Sequence, residues 1–354
     1  MTANSSGARR PRASTAKAVA ERAGVSVTTV SRVLSGHADA IPQETQDRVT
    51  AAAAELRYRP NSLARALRKG STQTIGLIVP DISDTYFHQV ARGVEDVAQA
   101  AGYMVIFCNT DRLAAKEQSC LDLLYDKRAD GIIFCGGGLD EEKHLSSRDW
   151  AGAAVVAIGP HVLDVPAVRV DDAAAIGSAV EHLAATGRRH ILCVAGQPDW
   201  LITRQRLAGY RAAVRRLGLD GNPQLIRYAG FASTHGHDAV TQALASGVVF
   251  DSVIAFDDYA ALGALQALRE AGLHVPGDVA IVGCDDIPFA ALACPPLTSI
   301  RFPTYDFGAT AARMVLDMLN GKEFQHVVEF PFELNVRAST AVTAHTCERD
   351  PLRR

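Results

Sequence analysis

From Thr74 onward the sequence alternates short apolar runs with longer segments that have the amphipathic periodicity of helices. Short, continuously apolar strands between helices are typical of parallel sheets covered on both faces, so the pattern predicts an α/β body. It restarts near His190, which predicts two doubly wound subdomains at about 74–171 and 172–340, with the chain crossing back near its C-terminus. The apolar runs are 75–79, 104–108, 131–135, 154–158, 191–195, 252–256 and 279–282. The helical segments include 88–101, 174–185, 207–217 and 259–271.

The 354 residues suffice for two or three domains, and charge is divided unevenly along them. Residues 1–70 carry 12 Lys and Arg but 5 Asp and Glu, a net charge of +7, whereas the remainder carries −10. A small basic segment attached to a larger acidic body indicates that the segment meets a polyanion and the body does not. A merely solvated basic tail is the alternative, so the local pattern has to decide.

Composition excludes several classes of protein. With 48% hydrophobic and 21% charged residues the chain is not wholly disordered. It has no apolar stretch of the about 18 residues that a membrane span needs, and no apolar run follows the arginines near its start as in a secretory signal. Seven cysteines without a Cys-x-x-Cys pair predict neither a disulfide framework nor a zinc site. We therefore expect a cytoplasmic protein that has no membrane partner and no cofactor.

Residues 15–35 have the pattern of two short helices separated by a glycine turn. Thr15 is a good N-cap, and apolar residues follow it at helical spacing up to Gly24. Ser26 is a second N-cap before another apolar stripe, and a third helix is predicted at 43–56. This order is typical of a helix-turn-helix unit, whose second helix enters the major groove of DNA. The alternative is a small helical interaction module that does not bind nucleic acid.

The polar face of the second predicted helix has side chains suited to base edges. Its short residues are Val27, Thr28, Thr29 and Ser31, and Arg32 follows one turn after the first of these. Arginine bonds guanine through two hydrogen bonds or holds a phosphate, and the methyl groups of valine and threonine can contact the thymine methyl. The face therefore favours DNA as the polyanion.

Residues 61–68, which follow Pro60, are good helix formers with Asn61 as their cap. A helix this short is unstable alone in water, because nucleation costs more than a few hydrogen bonds return. We therefore expect a linker that becomes helical only on DNA, in which Leu67 supplies an apolar wedge and Arg68 neutralises a phosphate. An ordinary interdomain linker is the alternative.

Five stretches, 18–20, 23–26, 29–34, 58–61 and 64–67, read AVA, AGVS, TVSRVL, YRPN and ARAL. They resemble the lactose-repressor/galactose-repressor family of bacterial transcriptional regulators, densely over about residues 15–70 and more loosely to about 340. The residues that this resemblance implies to read base edges are Val27, Thr28 and Arg32. Those that it implies to hold phosphates are Ser26, Thr29, Ser31 and Asn61. It also implies that Ala64 and Leu67 enter the minor groove, with Leu67 opening the central step of a palindrome.

Ligands of open α/β sheets bind beyond the carboxyl ends of the strands, and polar and aromatic residues follow the apolar runs of this sequence. These residues include Asp84, Tyr86, Phe87, Trp200, Arg206, Asp257 and Asp285. Carboxylates accept hydrogen bonds from vicinal hydroxyls, arginine donates a planar fork, and an aromatic ring packs on the C–H face of a sugar. The set is typical of a site for a polyhydroxylated ligand, in a cleft that can close on a hinge.

The same resemblance covers the body, which is similar to periplasmic sugar-binding proteins. The pocket residues that it implies are Phe87, Arg206, Phe231, Asp257 and Asp285, with Tyr86 and Trp200 nearby. Many members of the family have Asp, often Asp-Arg, after the fourth strand, where this chain has Gly159 and Pro160. Many also have Asn-Asp where this chain has Asp257-Asp258, so the resemblance does not imply a common hexose.

Several residues of the body can be explained by a structural role instead of ligand binding. Asp172, Asp258 and Asp286 can be helix N-caps, and Arg206 can form a salt bridge between the subdomains. A doubly wound enzyme with a carboxylate base is a further alternative, but no nucleophile elbow, Walker motif, metal cluster or dinucleotide fingerprint supports it. A secreted ligand-binding protein is a third, against which the helix-turn-helix pattern argues.

The sequence therefore predicts a non-enzymatic transcriptional regulator, a repressor of carbohydrate-related genes. It is expected to bind a palindromic DNA operator as a homodimer, to be associated with the nucleoid, and to be switched by a sugar-like effector. A nucleoside or other non-sugar corepressor is the alternative. The predicted domains are a disordered tail at 1–14, a helix-turn-helix domain at 15–60, a hinge helix and linker at 61–73, a two-lobed effector-binding and dimerisation domain at 74–340, and a loose tail at 341–354.

Overall fold

The computed structural model describes residues 15–35, 38–59, 70–135, 152–161 and 164–341. They belong to two compact units, Met1–Thr72 and Gln73–Arg354, each with its own apolar core. The predicted tail at 1–14 and most of the one at 341–354 lie outside the described residues. So do the predicted linker residues Asn61, Ala64, Leu67 and Arg68.

The described part of the first unit is built from three helices, α1 (Ala16–Ala23), α2 (Val27–Leu34) and α3 (Gln43–Glu55). The Thr15 hydroxyl accepts a hydrogen bond from the backbone N–H of Ala18 at 3.2 Å and begins α1. Gly24 ends α1 in the left-handed conformation, with φ at +66°. Ser26 then accepts from the N–H of Thr29 at 3.1 Å and begins α2. Both predicted caps and the glycine turn are confirmed.

A small core fixes the orientation of α2 within this unit. Val19, Val30 and Val49, one from each helix, are almost completely buried and pack with alanines of α1 and α3. The Arg48 guanidinium of α3 donates to the backbone oxygen of Ala23 at 2.9 Å, which ties α3 to the end of α1. The apolar side of α2 is therefore held inward and its polar side is left to the solvent.

In the part of the second unit that the structure describes, the strands form two six-stranded sheets, each carrying helices. The first sheet has the order β11-β5-β4-β3-β1-β2 and is parallel throughout. Its strands are β1 (Thr74–Val79), β2 (Met104–Asn109), β3 (Gly131–Cys135), β4 (Ala154–Ile158), β5 (Ala167–Arg169) and β11 (Val327–Glu329). Within the described residues, the helices of this first lobe are α4 (Thr85–Ala100), α5 (Ala114–Asp126) and α11 (Thr304–Leu319).

The second sheet has the order β12-β10-β9-β8-β6-β7, and β12 alone of its strands is antiparallel to its neighbour. Its strands are β6 (Ile191–Ala195), β7 (Ile226–Tyr228), β8 (Ser252–Ala255), β9 (Ala280–Asp285), β10 (Thr298–Arg301) and β12 (Glu333–Asn335). The α-helices of this second lobe are α6 (Asp172–Ala185), α7 (Leu201–Arg216), α8 (Ser233–Ala245), α9 (Asp258–Glu270) and α10 (Pro288–Leu292). The predicted pair of doubly wound subdomains is confirmed.

The C-terminal part of the body belongs to both lobes. After β10 the chain returns to the first lobe, where α11 packs against α4 and β11 pairs with β5, and it then crosses again to β12. The predicted crossing of the chain near its C-terminus is confirmed. The predicted limits of the lobes, 74–171 and 172–340, are incomplete, because residues 304–329 also belong to the first lobe. The α4–α11 contact is backbone-close, since a β-carbon at Gly93 would overlap the Tyr305 carbonyl oxygen and one at Gly308 would overlap that of Val90.

Replacing Gly93 by Ala should lower the free energy of unfolding of the body by about 1–3 kcal/mol, because the added methyl group forces α4 and α11 apart. Gly177→Ala is the matched control, since Gly177 also lies in a helix but a β-carbon there meets nothing within 4 Å. That control should be neutral or stabilising, by up to about 1 kcal/mol. Urea unfolding of the full chain measures both variants, and an unchanged Gly93→Ala transition would contradict the close contact.

Candidate functional site

The outer face of α2 presents the side chains that the sequence singled out in the first unit. Ser26, Val27, Thr28 and Arg32 are exposed, with 47% of Val27 accessible, whereas Val30 on the opposite side is 1% exposed. Thr29 and Ser31 are partly buried, and the hydroxyls of Thr29 and Ser26 are 2.9 Å apart. The N-terminal turn of a helix carries unpaired N–H groups and a partial positive charge, both of which suit a phosphate.

In the second unit a cavity lies between the two lobes, with about 620 Å³ of space that is partly open to solvent. The start of α4, the loop after β2 and the carboxyl ends of β3, β4 and β5 contribute its first-lobe side. Helix α7, the loops after β7 and β8 and the end of β9 contribute its second-lobe side. The lining residues that the sequence predicted are Tyr86, Phe87, Arg206, Phe231, Asp257 and Asp285. Trp200 stacks on Phe231, with ring centroids 5.1 Å apart. The structure thus brings all seven residues together, and their role in binding stays a prediction.

Arg206 on α7 is the buried cation of this cavity. Its Nε donates to Asp172 Oδ1 at 2.8 Å, another of its nitrogens donates to the Phe256 carbonyl oxygen, and Nη2 lies 3.7 Å from Asp285 Oδ1. These partners belong to the second lobe, so the alternative of a salt bridge between the lobes is wrong. The guanidinium is instead held in place at one wall of the cavity.

The helix caps beside the cavity are formed by the neighbours of the expected residues. Asp171 accepts from the N–H of Ala174 at 2.9 Å and caps α6, which leaves Asp172 free to pair with Arg206. Asp257 accepts from Ala260 N–H at 3.0 Å and caps α9 while lining the cavity.

Two further carboxylates, of Asp258 and Asp286, make contacts that hold segments of the second lobe together. The buried Asp258 accepts from the Ile287 N–H and the Ser299 hydroxyl, which joins α9 to the segments after β9. Asp286 pairs with Arg337 at 2.7 Å. Asp172, Asp258 and Asp286 are therefore not N-caps.

The carboxylates of the cavity repel one another in a poorly solvated place. Burial raises the pKa of Asp285 to about 7, and the charge of Asp84 adds to the effect while Arg206 opposes it. Burial and then the charges of Asp285 and Asp84 raise the pKa of Asp257 well above its ordinary value. Asp257 and Asp285 therefore keep their protons to higher pH than ordinary carboxyls do, and a protonated carboxyl can donate a hydrogen bond as well as accept one.

Asp285 is also unusual in its backbone and its acceptor. Its φ is +103°, a conformation that residues other than glycine adopt at a cost and that is concentrated at functional sites. Its buried Oδ1 accepts no hydrogen bond from the described residues. The end of β9 is therefore strained so as to hold an acceptor at the cavity wall.

Arg112 also lines the cavity and is not among the residues that the sequence predicts for it. Its guanidinium carbon lies 4.7 Å from the ring centroid of Trp200 and 5.1 Å from that of Phe231. The strand that ends at Asn109 was predicted, and inspection of the residues after it would have found this arginine. Arg169 at the end of β5 was missed for a different reason, because that three-residue strand is too short to show a period.

Within the described part of the chain, no cluster of three or more His, Cys, Asp or Glu side chains is arranged to hold a metal ion. None of the helices described there combines the length and the apolar character that a membrane span requires.

Two family models match the chain. Residues 15–61 match the model of bacterial regulatory proteins of the lacI family, and residues 180–340 match that of the periplasmic binding protein-like domain. The first match covers α1 to α3 and the second covers most of the second lobe together with α11, β11 and β12.

Relatives extend the similarity over nearly the whole chain. The HTH-type transcriptional repressor CytR of Escherichia coli K12 is 35% identical over 334 residues, which cover 93% of this chain and 96% of CytR. Catabolite control protein A of Priestia megaterium is 32% identical and covers 91% of this chain and 98% of its own length.

Solved structures give the same result. The lac repressor dimer bound to operator and the anti-inducer ONPF is similar with a TM-score of 0.84 and 26% identity, over 93% of this chain and 99% of that one. The complex of the regulator CelR with cellobiose has a TM-score of 0.69 and 30% identity, over 92% and 99%. This chain therefore belongs to the lacI family of bacterial regulatory proteins and is a helix-turn-helix transcriptional regulator.

Proposed function

We propose that this regulator is a repressor that binds a palindromic operator as a homodimer through α2. We further propose that a sugar-like effector in the cavity between the lobes alters the operator affinity. The observation that carries the proposal is the cavity itself, in which a pinned guanidinium, carboxylates and aromatic rings converge in a chain that also has a DNA-binding helix. Among the similar structures, one is a repressor dimer bound to operator and another is a regulator bound to cellobiose, which supports both halves of the proposal.

On the DNA side, we assign base contacts to Val27, Thr28 and Arg32, because they are the exposed side chains of the first turns of α2. Phosphate contacts fall to Ser26, Thr29 and Ser31 beside them. The segment after α3 would add a hinge helix, in which Asn61 and Arg68 hold phosphates while Ala64 and Leu67 enter the minor groove. The hinge assignments come from the sequence alone.

On the effector side, the cavity offers both donors and acceptors to hydroxyl groups. Arg206 is already paired with Asp172, so its guanidinium is held in one orientation, and its other N–H groups would donate to a ligand from a fixed position. Asp285 Oδ1 and Asp257 Oδ2, the oxygen that does not cap α9, can accept hydrogen bonds from vicinal hydroxyls. The rings of Phe231 and Phe87 can pack on the C–H face of a sugar. A nucleoside carries the same hydroxyl pattern on its ribose and is the second candidate.

DNA binding and effector binding would be linked through the relative populations of two arrangements of the lobes. A ligand that fits one arrangement better shifts the population towards it, and the spacing of two DNA-binding heads in a dimer shifts with it. A coupling free energy of about 1–3 kcal/mol would change operator affinity by about 5–150-fold. The body acts in this scheme as a sensor without catalysis, and the protein works in the cytoplasm on the nucleoid. We further propose the domain limits 15–60, 61–73 and 74–340.

Exposed apolar residues of the body mark the surface proposed to join the two protomers. Met104 and Phe107 lie on β2, the edge strand of the first sheet, and Phe289 and Leu292 lie on α10 of the second lobe. Met104 is 71% exposed and Leu292 is 78% exposed. Large apolar side chains are costly to leave in water in such groups, and burial between two copies removes the cost.

Arg32→Ala should weaken operator binding by about 1–3 kcal/mol if Arg32 bonds a guanine, because the base edge then loses two hydrogen bonds. Fluorescence anisotropy with an operator duplex and with a random duplex of the same length measures the change. An equal loss on both duplexes would show that Arg32 contacts a phosphate and reads no base.

Arg206→Ala should abolish the effector response and leave operator affinity unchanged, because it removes the cation that organises the cavity far along the chain from α2. The measurement is thermal stabilisation of the full chain by a panel of sugars, polyols and nucleosides, followed by operator titration with each hit. Arg211→Ala on the exposed side of the same helix is the control. Circular dichroism checks that Arg206→Ala is folded, and Arg206→Lys supplies a milder variant. A folded Arg206→Ala protein with the wild-type response would remove Arg206 from the site.

Leu292→Asp combined with Met104→Asp should shift the dimer towards monomer, since each change places a charge in the proposed apolar interface. Sedimentation velocity at micromolar concentration measures the shift. Val249→Asp is the matched control, because Val249 is 77% exposed outside the proposed surface. Dimers of unchanged stability in the double variant would place the interface elsewhere.

A further inference from the structure

Arg112 places a first-lobe cation on an aromatic pair of the second lobe. It follows β2 and is partly buried, and its guanidinium lies over both Trp200 and Phe231 at 4.7 and 5.1 Å. Trp200 precedes α7 and Phe231 follows β7, so both rings belong to the other lobe. The contact therefore crosses the cleft, whereas the hydrogen bonds and ion pairs of Arg206 stay within the second lobe.

The two rings touch each other and form an open corner, called the slot below, over which the flat guanidinium of Arg112 lies. Their centroids are 5.1 Å apart and their planes are inclined by 58°, so the guanidinium and the two rings touch one another pairwise. Gly196 lets Phe231 lie close, because a β-carbon there would come within 2.9 Å of the ring. The second-lobe side of the slot is thus formed by packed groups and is present before any ligand enters.

Charge around the slot favours a cation. Burial lowers the pKa of Arg112, and the carboxylates of Asp84, Asp81 and Asp257, in that order of strength, oppose the lowering. An aromatic face attracts a cation through its quadrupole, more strongly where water is excluded. An anionic group in the same place would meet these three carboxylates and only one arginine of those that act on Arg112, Arg206.

The hold on Arg112 is one that a ligand can replace. In the described part of the chain its guanidinium makes no hydrogen bond or ion pair and is held by stacking and by longer-range charge. Asp111 and Arg112 both have positive φ values, +49° and +56°, so their loop is strained in this arrangement. A strained loop with an unpinned side chain can move at smaller cost than the paired Arg206.

We propose that Arg112 is a built-in ligand of the slot formed by Trp200 and Phe231, and that an effector ring exchanges with its guanidinium. The exchange rests on the proposed function, since it assumes that an effector uses the cavity. The class of ligand that fits is a ring with an apolar face that carries hydroxyl or ammonium donors and no anionic group. In the effector-free protein Arg112 joins the lobes, and its release is the event that binding of such a ring produces.

Tryptophan fluorescence of the effector-free full chain tests the seating of Arg112. The chain has two tryptophans, so Trp150→Phe leaves Trp200 as the reporter. In this background Arg112→Ala should red-shift the emission and raise the acrylamide quenching constant, because the guanidinium no longer covers the ring. Millimolar ethylguanidinium should reverse both changes by occupying the emptied slot, and Arg112→Gln, which keeps a planar amide, should show a smaller shift.

Arg169→Ala is the matched control, because Arg169 lines the same cavity but lies 3.7 Å from Glu329 and makes no contact with the rings. It should leave Trp200 emission unchanged and give no response to ethylguanidinium. Unchanged emission and quenching in both Arg112 variants, or an equal ethylguanidinium effect in the Arg169 control, would overturn the proposal. The fluorescence measurement needs no effector. A failure of the Arg206→Ala prediction would therefore contradict the proposed effector site but would not change the result for the seating of Arg112.

Discussion

The burial of one guanidinium against two carboxylates organises the sensor half of this regulator. Arg206 is paired with Asp172 at the start of α6 and faces Asp285 at the end of β9, so it connects two chain segments more than a hundred residues apart. A charge in this position is tolerated only because its partners are in place, and removal of a partner leaves an uncompensated buried charge. The cavity wall is therefore held in place at this point by contacts within the second lobe.

The chain path explains how two lobes with separate sheets act as one sensor. The connections β5–α6, β10–α11 and β11–β12 all pass between the lobes, so neither lobe is formed from one continuous segment. The backbone-close contact of α4 with α11 then binds the returning segment to the first lobe. The lobes are thus joined by short connections, which is where a hinge between them would lie.

The parts of the fold that sequence analysis found and missed differ in length. The seven apolar runs correspond to β1–β4, β6, β8 and β9, with ends shifted by a few residues, because a buried parallel strand needs an uninterrupted apolar run. The missed strands β5, β7, β11 and β12 have three residues each, which is too few to show a pattern. Strand β10 is as long as β8 but reads Thr-Ser-Ile-Arg, which is not a continuous apolar run. At the cavity, the position of Arg112 after β2 makes it a candidate, but only tertiary contacts distinguish it from its exposed neighbour Asp111.

The sequence by itself determined the helix-turn-helix order, the α/β alternation and the residues at strand ends, because capping, apolar periodicity and the parallel-sheet rule act over a few neighbouring residues. The tertiary structure decided which of two adjacent aspartates is a cap and which a partner of Arg206, as Asp171 and Asp172 show. It also decided that Arg112 lies against Trp200 across the cleft. These choices depend on contacts between segments distant along the chain, where burial and charge balance override local preference.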